Sequence, residues 1–141
     1  MKQIKFLGLM AAMAVLFTGC TDMQQLKYGI SQANDGCPMQ VDEITTCTRI
    51  QLHGDYVEYL YKVDETDEDG DFDVSFMNDP ELKKEWKEET LEEVKETYRT
   101  DEDYKEFIQL LKRCKYGIEY RYVGNRTSNE SVTRLEYWEL P

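Results

Sequence analysis

The sequence has 141 residues, with 17 Lys and Arg against 29 Asp and Glu and a single His, for a formal charge of −12 at pH 7. That length suits one small domain. Nucleic acid, whose affinity for proteins comes mostly from Lys and Arg contacts to phosphate, is excluded as a partner by this charge, and so is electrostatic docking on anionic lipid.

Residues 1–20 open with Lys2 and Lys5, run apolar from Phe6 to Phe17 and end in Thr18-Gly19-Cys20. Roughly twelve apolar or small residues are too few for a bilayer span, which needs about 20, so the pattern predicts a cleaved export signal over 1–19. The string Leu16-Phe17-Thr18-Gly19-Cys20 resembles a bacterial lipobox, departing from it by Phe17 where Leu is usual. The resemblance implies that Cys20 is acylated and becomes the first residue of a mature protein held in the cell envelope by its lipid. Cleavage removes Lys2 and Lys5 and leaves 15 basic against 29 acidic side chains, or −14.

Residues 20–36, with Gln24, Gln25, Ser31, Gln32, Asn34 and Asp35, show little apolar periodicity and are expected to form a flexible tether. A single domain is expected over 37–141. Within it Thr45 to Leu52 and Tyr56 to Val63 read as a β-hairpin across His53-Gly54-Asp55, and Phe72, Val74 and Phe76 alternate as a third short strand. Asn78-Asp79-Pro80-Glu81 starts a helix that carries Leu82, Trp86, Leu91, Val94 and Tyr98. A second cap at Asp101 starts another, with an apolar face of Tyr104, Phe107, Ile108, Leu110, Leu111 and Cys114, ended by Gly117. Ile118–Val123 and Ser131–Trp138 form the last hairpin. The expected fold is therefore α+β, a four- or five-stranded antiparallel sheet in the order ββ(β)ααββ with two helices on one face.

Without Cys20, an odd set of thiols remains, Cys37, Cys47 and Cys114, so at most one intramolecular bridge forms. The favoured bridge involves Cys114, at the end of a helix that packs back on the sheet. Metal-ligand spacing for zinc is lacking.

The stretch Asp64–Asp73 concentrates acids around Gly70, and setting Gly70 as the sixth position of a calcium loop makes Glu65, Asp67, Asp69, Asp71 and Asp73 ligands. Phe76 then stands where the bidentate Glu belongs, and the alternative is a solvated acidic turn. No cofactor is expected beyond weak calcium at Asp67, Asp69, Asp71 and Asp73. Tyr56, Tyr120 and Tyr122 are the candidate binding residues, for a protein or glycan partner, if the sheet turns them outward. His53 reads as a solvated turn residue, and no serine lies in a nucleophile motif, so an enzyme is not expected.

Cys37-Pro38-Met39-Gln40-Val41-Asp42-Glu43-Ile44-Thr45-Thr46, the Tyr-rich hairpin and Tyr120-Arg121-Tyr122-Val123-Gly124-Asn125 together resemble a group of small Bacteroides-type lipoproteins. That resemblance implies a small α+β envelope domain and supplies no active-site residues. The expected role is a non-catalytic binding module. The alternatives are an inhibitor or immunity-type protein for a cationic enzyme such as a lysozyme, suited by the −14 charge, and a calcium-dependent or carboxylate-based enzyme.

Overall fold

The computed structural model describes residues 21–66 and 72–141. The export signal, Cys20, Asp67, Asp69 and Asp71 lie outside the described residues.

The segment expected to be a tether is a helix, α1 (Asp22–Asp35). Thr21 caps it reciprocally with Gln24: the Gln24 N–H donates to Thr21 Oγ1 at 3.2 Å and the Thr21 N–H to Gln24 Oε1 at 3.0 Å. Met23, Leu26, Ile30 and Ala33, spaced three, four and three apart, form one inward stripe, with Leu26 and Ile30 fully in the core. The many polar residues of this segment occupy the remaining faces, which is why its composition reads as unstructured.

Five strands follow, β1 (Met39–Gln40), β2 (Thr45–His53), β3 (Tyr56–Val63), β4 (Gly117–Gly124) and β5 (Glu130–Leu135), and they lie in the sheet in chain order. The expected all-antiparallel pairing fails at one seam: β3 and β4 run parallel, Tyr56 opposite Gly117 through Val63 opposite Gly124. Parallel neighbours require a crossover, and the helix pair α2 (Pro80–Thr100) and α3 (Glu102–Cys114) supplies it. Both helices start where expected. Asp79 accepts the Glu81 and Leu82 N–H groups at 3.1 Å, and Asp101 accepts that of Tyr104 at 3.1 Å. The end of α3 is made by Lys115 in the left-handed conformation (φ 57°) rather than by Gly117. Gly117 instead starts β4, where a Cβ would run into the Leu135 carbonyl and the Tyr56 ring.

The expected strand at Phe72–Phe76 is a 3-10 turn, Val74–Asn78. Asp73 caps it by accepting the Ser75 N–H at 2.8 Å, and the turn buries Val74 and Met77, three residues apart, while Phe72 and Phe76 meet edge to face at 5.8 Å between centroids. A capping carboxylate followed by an i, i+3 apolar pair overrides the two-residue alternation that suggested a strand.

The helices share one face of the sheet, and the core lies between. Strand alternation turns Val57, Tyr59, Tyr61 and Val63 of β3, and Ile118, Tyr120 and Tyr122 of β4, toward Leu26, Ile30, Trp86, Val94, Phe107, Ile108 and Leu111. Each fully buried large apolar side chain stabilises by roughly 1.5–3 kcal/mol. Four tyrosines stack across the parallel seam, Tyr59 on Tyr120 at 5.6 Å and Tyr61 on Tyr122 at 4.7 Å. Cys37, Cys47 and Cys114 are free thiols, and Cys114 is close to neither of the others: it neighbours Asp22, at the far end of α1 from Cys37. The favoured bridge to Cys114 is thus ruled out by the placement of α1.

Candidate functional site

On the sheet face opposite the helices the register builds a row of polar side chains across four strands. Gln51 of β2 stands opposite Glu58 of β3, Glu58 opposite Glu119 of β4, and Glu119 opposite Arg134 of β5. The two carboxylates are almost fully covered, Glu58 at 3% and Glu119 at 0% exposure. Burial of like charges side by side is costly unless each oxygen is hydrogen-bonded. Here each one is. Gln51 Nε2 donates to Glu58 Oε1 at 2.8 Å, and Arg121 Nε to Glu58 Oε2 at 3.1 Å. Arg121 Nη2 donates to Glu119 Oε1 at 3.2 Å, and Arg134 Nε to Glu119 Oε2 at 2.7 Å. His53, at the end of β2, places Nδ1 3.1 Å from Glu58 Oε2 and 3.0 Å from Glu119 Oε1. Two acceptors facing Nδ1 require the proton on that nitrogen.

Burial pushes the Glu119 carboxyl up, but its close contact with Glu58 and the hydrogen bonds from Arg134, His53 and Arg121 outweigh this and hold it at about 2. The same bonds, against the cost of burial, keep Arg121 more firmly protonated than a free arginine. Arg121 also reaches Glu130 with Nη1 at 2.8 Å. Arg134 lies over the Tyr56 ring at 5.0 Å, and the Tyr56 hydroxyl donates to Glu136 at 2.7 Å.

His53, Glu58 and Glu119 each bring one potential ligand atom within 4.8 Å of the others, the one such grouping among the described residues. A divalent ion there would have to displace Arg121 from both carboxylates and Arg134 from one. The arrangement is a ladder of paired charges that locks the outer face, with all four oxygens of Glu58 and Glu119 engaged. His53 was expected to be a solvated turn residue. The parallel seam, which sequence alternation does not reveal, is what brings Glu119 beside Glu58 and gives the imidazole its partners.

Of the residues considered for calcium, the described ones, Glu65 and Asp73, are hydrogen-bonded to the chain itself. Glu65, the first candidate ligand of the acidic loop, is 0% exposed. Its carboxylate accepts the N–H groups of Val74 (2.7 Å), Arg126 (3.0 Å) and Thr127 (2.8 Å) and the Thr127 hydroxyl at 2.9 and 3.0 Å. Asp73, besides capping the turn, accepts Asn129 Nδ2 at 2.6 Å. Both described ends of the loop are thereby clasped to the β4–β5 connection, Glu65 through both carboxylate oxygens and Asp73 through Oδ1.

Gly124 lies under this clasp, where a Cβ would overlap the Glu65 carboxylate. Gly124→Ala is expected to destabilise by about 1–3 kcal/mol, measured by urea unfolding. A change within about 0.5 kcal/mol would contradict the packing described.

Of the three tyrosines expected to bind a partner, Tyr120 (5% exposed) and Tyr122 (1%) are in the core, because β4 alternation puts them on the helix side. Tyr56 is on the outer face, engaged with Arg134 and Glu136. Among the described residues two large aromatics are exposed, Tyr28 of α1 at 43% and Trp138 at 68%, the latter on the 3-10 turn Tyr137–Glu139, edge to face with Tyr137 at 5.1 Å. A shallow cleft of about 240 Å3 beside the β2 bulge is lined by Ile44, Thr46, Thr48, Lys62, Asp64 and Asn125.

These features define an α+β domain with one helix-covered and one open sheet face. No protein-family model and no curated protein matches the sequence. The fold is similar to the 1.60 Å crystal structure of a Pseudomonas aeruginosa protein inferred to be secreted, with a TM-score of 0.55 and 11% identity over 84% of this chain and 91% of that one. At that identity the likeness concerns the fold.

Proposed function

We propose that the chain is an exported, lipid-anchored protein of the cell envelope, of the kind its resemblance to Bacteroides-type lipoproteins implies, whose domain acts by binding a partner protein through the exposed Trp138 turn. The export signal and Cys20 support the location, and the fold shared with a protein inferred to be secreted agrees with it. No described helix is long and apolar enough to cross a membrane. A mature chain beginning at lipid-modified Cys20 is the expected product of membrane extraction, read by intact-protein mass spectrometry. Unmodified Cys20, or residues 1–19 still attached, would remove this half of the reading.

Trp138 is the observation that carries the binding half. A large aromatic exposed on a turn that is pinned reciprocally by Glu136 and Glu139, with Leu140 buried behind it, offers apolar area already held in place. Trp138→Ala is expected to leave stability within about 0.5 kcal/mol and to weaken partner binding about 30-fold, the size of an anchor residue. In-cell cross-linking of wild type and variant reads this directly. Identical cross-linked species in both would rule the anchor out.

A second reading, an inhibitor of a cationic enzyme, rests on α2, which exposes Glu81, Glu85, Glu88, Glu89, Glu92 and Glu96 against Lys84, Lys95 and Arg99. It is favoured instead if the complex survives Trp138→Ala and dissolves as salt is raised.

A further inference from the structure

Cys37 and Cys47 bring their sulfurs to 4.0 Å from each other across the edge of the sheet. Cys47 is buried on β2 opposite Met39 of β1, and Cys37, two residues before Met39, is half-buried between α1 and β1. A disulfide sets its sulfurs about 2.05 Å apart, within reach of side-chain rotation from this separation. Cys114 is out of reach: it lies beside Asp22, whose neighbour Arg113 bonds it at 3.2 Å. Cys37 follows the other end of α1, a helix of 14 residues. At 1.5 Å per residue the two are separated by about 20 Å.

We infer that Cys37 and Cys47 are a disulfide site, oxidised by thiol–disulfide exchange, that fastens the edge strand β1 and the end of α1 to β2. The oxidant is a protein or low-molecular-weight disulfide. Cys37 loses its proton and its sulfur attacks one sulfur of the oxidant, forming a mixed disulfide and expelling the oxidant's other sulfur as thiolate. Cys47 then loses its proton and attacks Cys37 Sγ, closing the Cys37–Cys47 bond and expelling the oxidant's first sulfur. Two electrons pass to the oxidant, which ends as two thiols after taking up two protons. Cys37 reacts first because it is the more accessible sulfur. Burial, and then the nearby Cys37, push the Cys47 thiol up to about 12, which disfavours its acting as the initial nucleophile.

The bond has a mechanical role that the ladder alone does not supply. The β1 strand is two residues long and pairs with β2 only through Met39 and Gln40. Such a short edge frays unless tied down. The bridge closes residues 37–47 into a small ring and holds that edge in register.

The full chain, purified reduced, is equilibrated without denaturant against glutathione disulfide, alkylated and peptide-mapped. The expected map links Cys37 to Cys47 and leaves Cys114 outside the bridge, with reduction lowering Tm by about 5 °C or more. Cys47→Ser is expected to retain one glutathione on Cys37, the trapped mixed disulfide, and if that variant fails to fold the wild-type map decides alone. Alkylation of Cys37 and Cys47 together on the same molecules after equilibration, or a bridge from Cys114 to either, overturns the inference.

Discussion

Replacing Glu65 with alanine is expected to lower the unfolding free energy by about 3–5 kcal/mol, a large share of the 5–15 kcal/mol typical of a small domain. The residue is an anion with no exposed surface, and what compensates its burial is a cage of donors from two distant segments: Val74 on one side, Arg126 and Thr127 on the other. Alanine removes the acceptor and leaves those N–H groups buried without partners, each at a cost of about 1–3 kcal/mol that entering water offsets in part. It also removes the most buried tie between the acidic loop and the β4–β5 connection, leaving the Glu65 N–H on Asn125 Oδ1, Arg126 on the Phe72 carbonyl, Asn125 on Asp64 and Asn129 on Asp73. Glu65→Gln keeps the shape but turns an amide NH2 toward donors, so it recovers only part of the loss. Burial raises this carboxyl, yet the N–H groups of Thr127, Val74 and Arg126 lower it further, and the net shift is downward. A depressed folded-state pKa contributes stability above the ordinary carboxylate range and loses it as pH falls through the folded value. Urea unfolding of both variants at neutral and acid pH tests this. An alanine variant within about 1 kcal/mol of wild type would refute the clasp.

The second large effect belongs to Glu119. Glu119→Gln is expected to cost about 2–4 kcal/mol at neutral pH, because Arg121 and Arg134 then share one carboxylate less in a nearly covered row. The pH dependence separates this ladder from simple packing. The Glu119 carboxyl falls from the ordinary 4.5 to about 2 on folding. Its contribution is complete above about 4.5, declines between there and about 2, and is gone below, so the gap between wild type and variant should close over that window. A gap that stays constant from neutral pH to pH 2 would show that the charge plays no part. A double-mutant cycle with Arg134→Gln apportions the pair, since Arg134 makes the shortest bond to Glu119, at 2.7 Å.

The two ionic constellations also account for how the chain manages its acid excess. Glu58, Glu65 and Glu119, all buried, are each taken up by a fixed set of donors. The acids of α2 remain on its exposed surface. Solubility and electrostatic steering therefore come from the helices, whereas the open sheet face is close to neutral around Glu58, Glu119, Arg121 and Arg134.

Part of the local structure was legible in the sequence. Asp79-Pro80 and Asp101 specified two helix starts because an N-cap acts through residues two and three places away. His53-Gly54-Asp55 specified the hairpin, Gly54 taking the positive φ of 58° that it allows. Alternation marked β3 and β4, and together these signals pointed to an α+β chain, though without α1 and β1. The helix α1 was not legible, because Met23, Leu26, Ile30 and Ala33 are four apolar residues among many polar ones and form a helix only when a sheet is there to cover the stripe. How side chains face and which distant ones meet followed from packing. Alternation says that Tyr120 and Glu119 point opposite ways; it does not say which way the helices lie, and that choice buried the tyrosines and left the carboxylates to the arginines. The parallel seam set Glu58 beside Glu119, the crossover brought Glu65 to Thr127, and the angle of α1 kept Cys114 from Cys37 and left Cys37 against Cys47. Each of these partnerships joins residues whose relative position depends on how whole elements pack, a quantity no local pattern encodes.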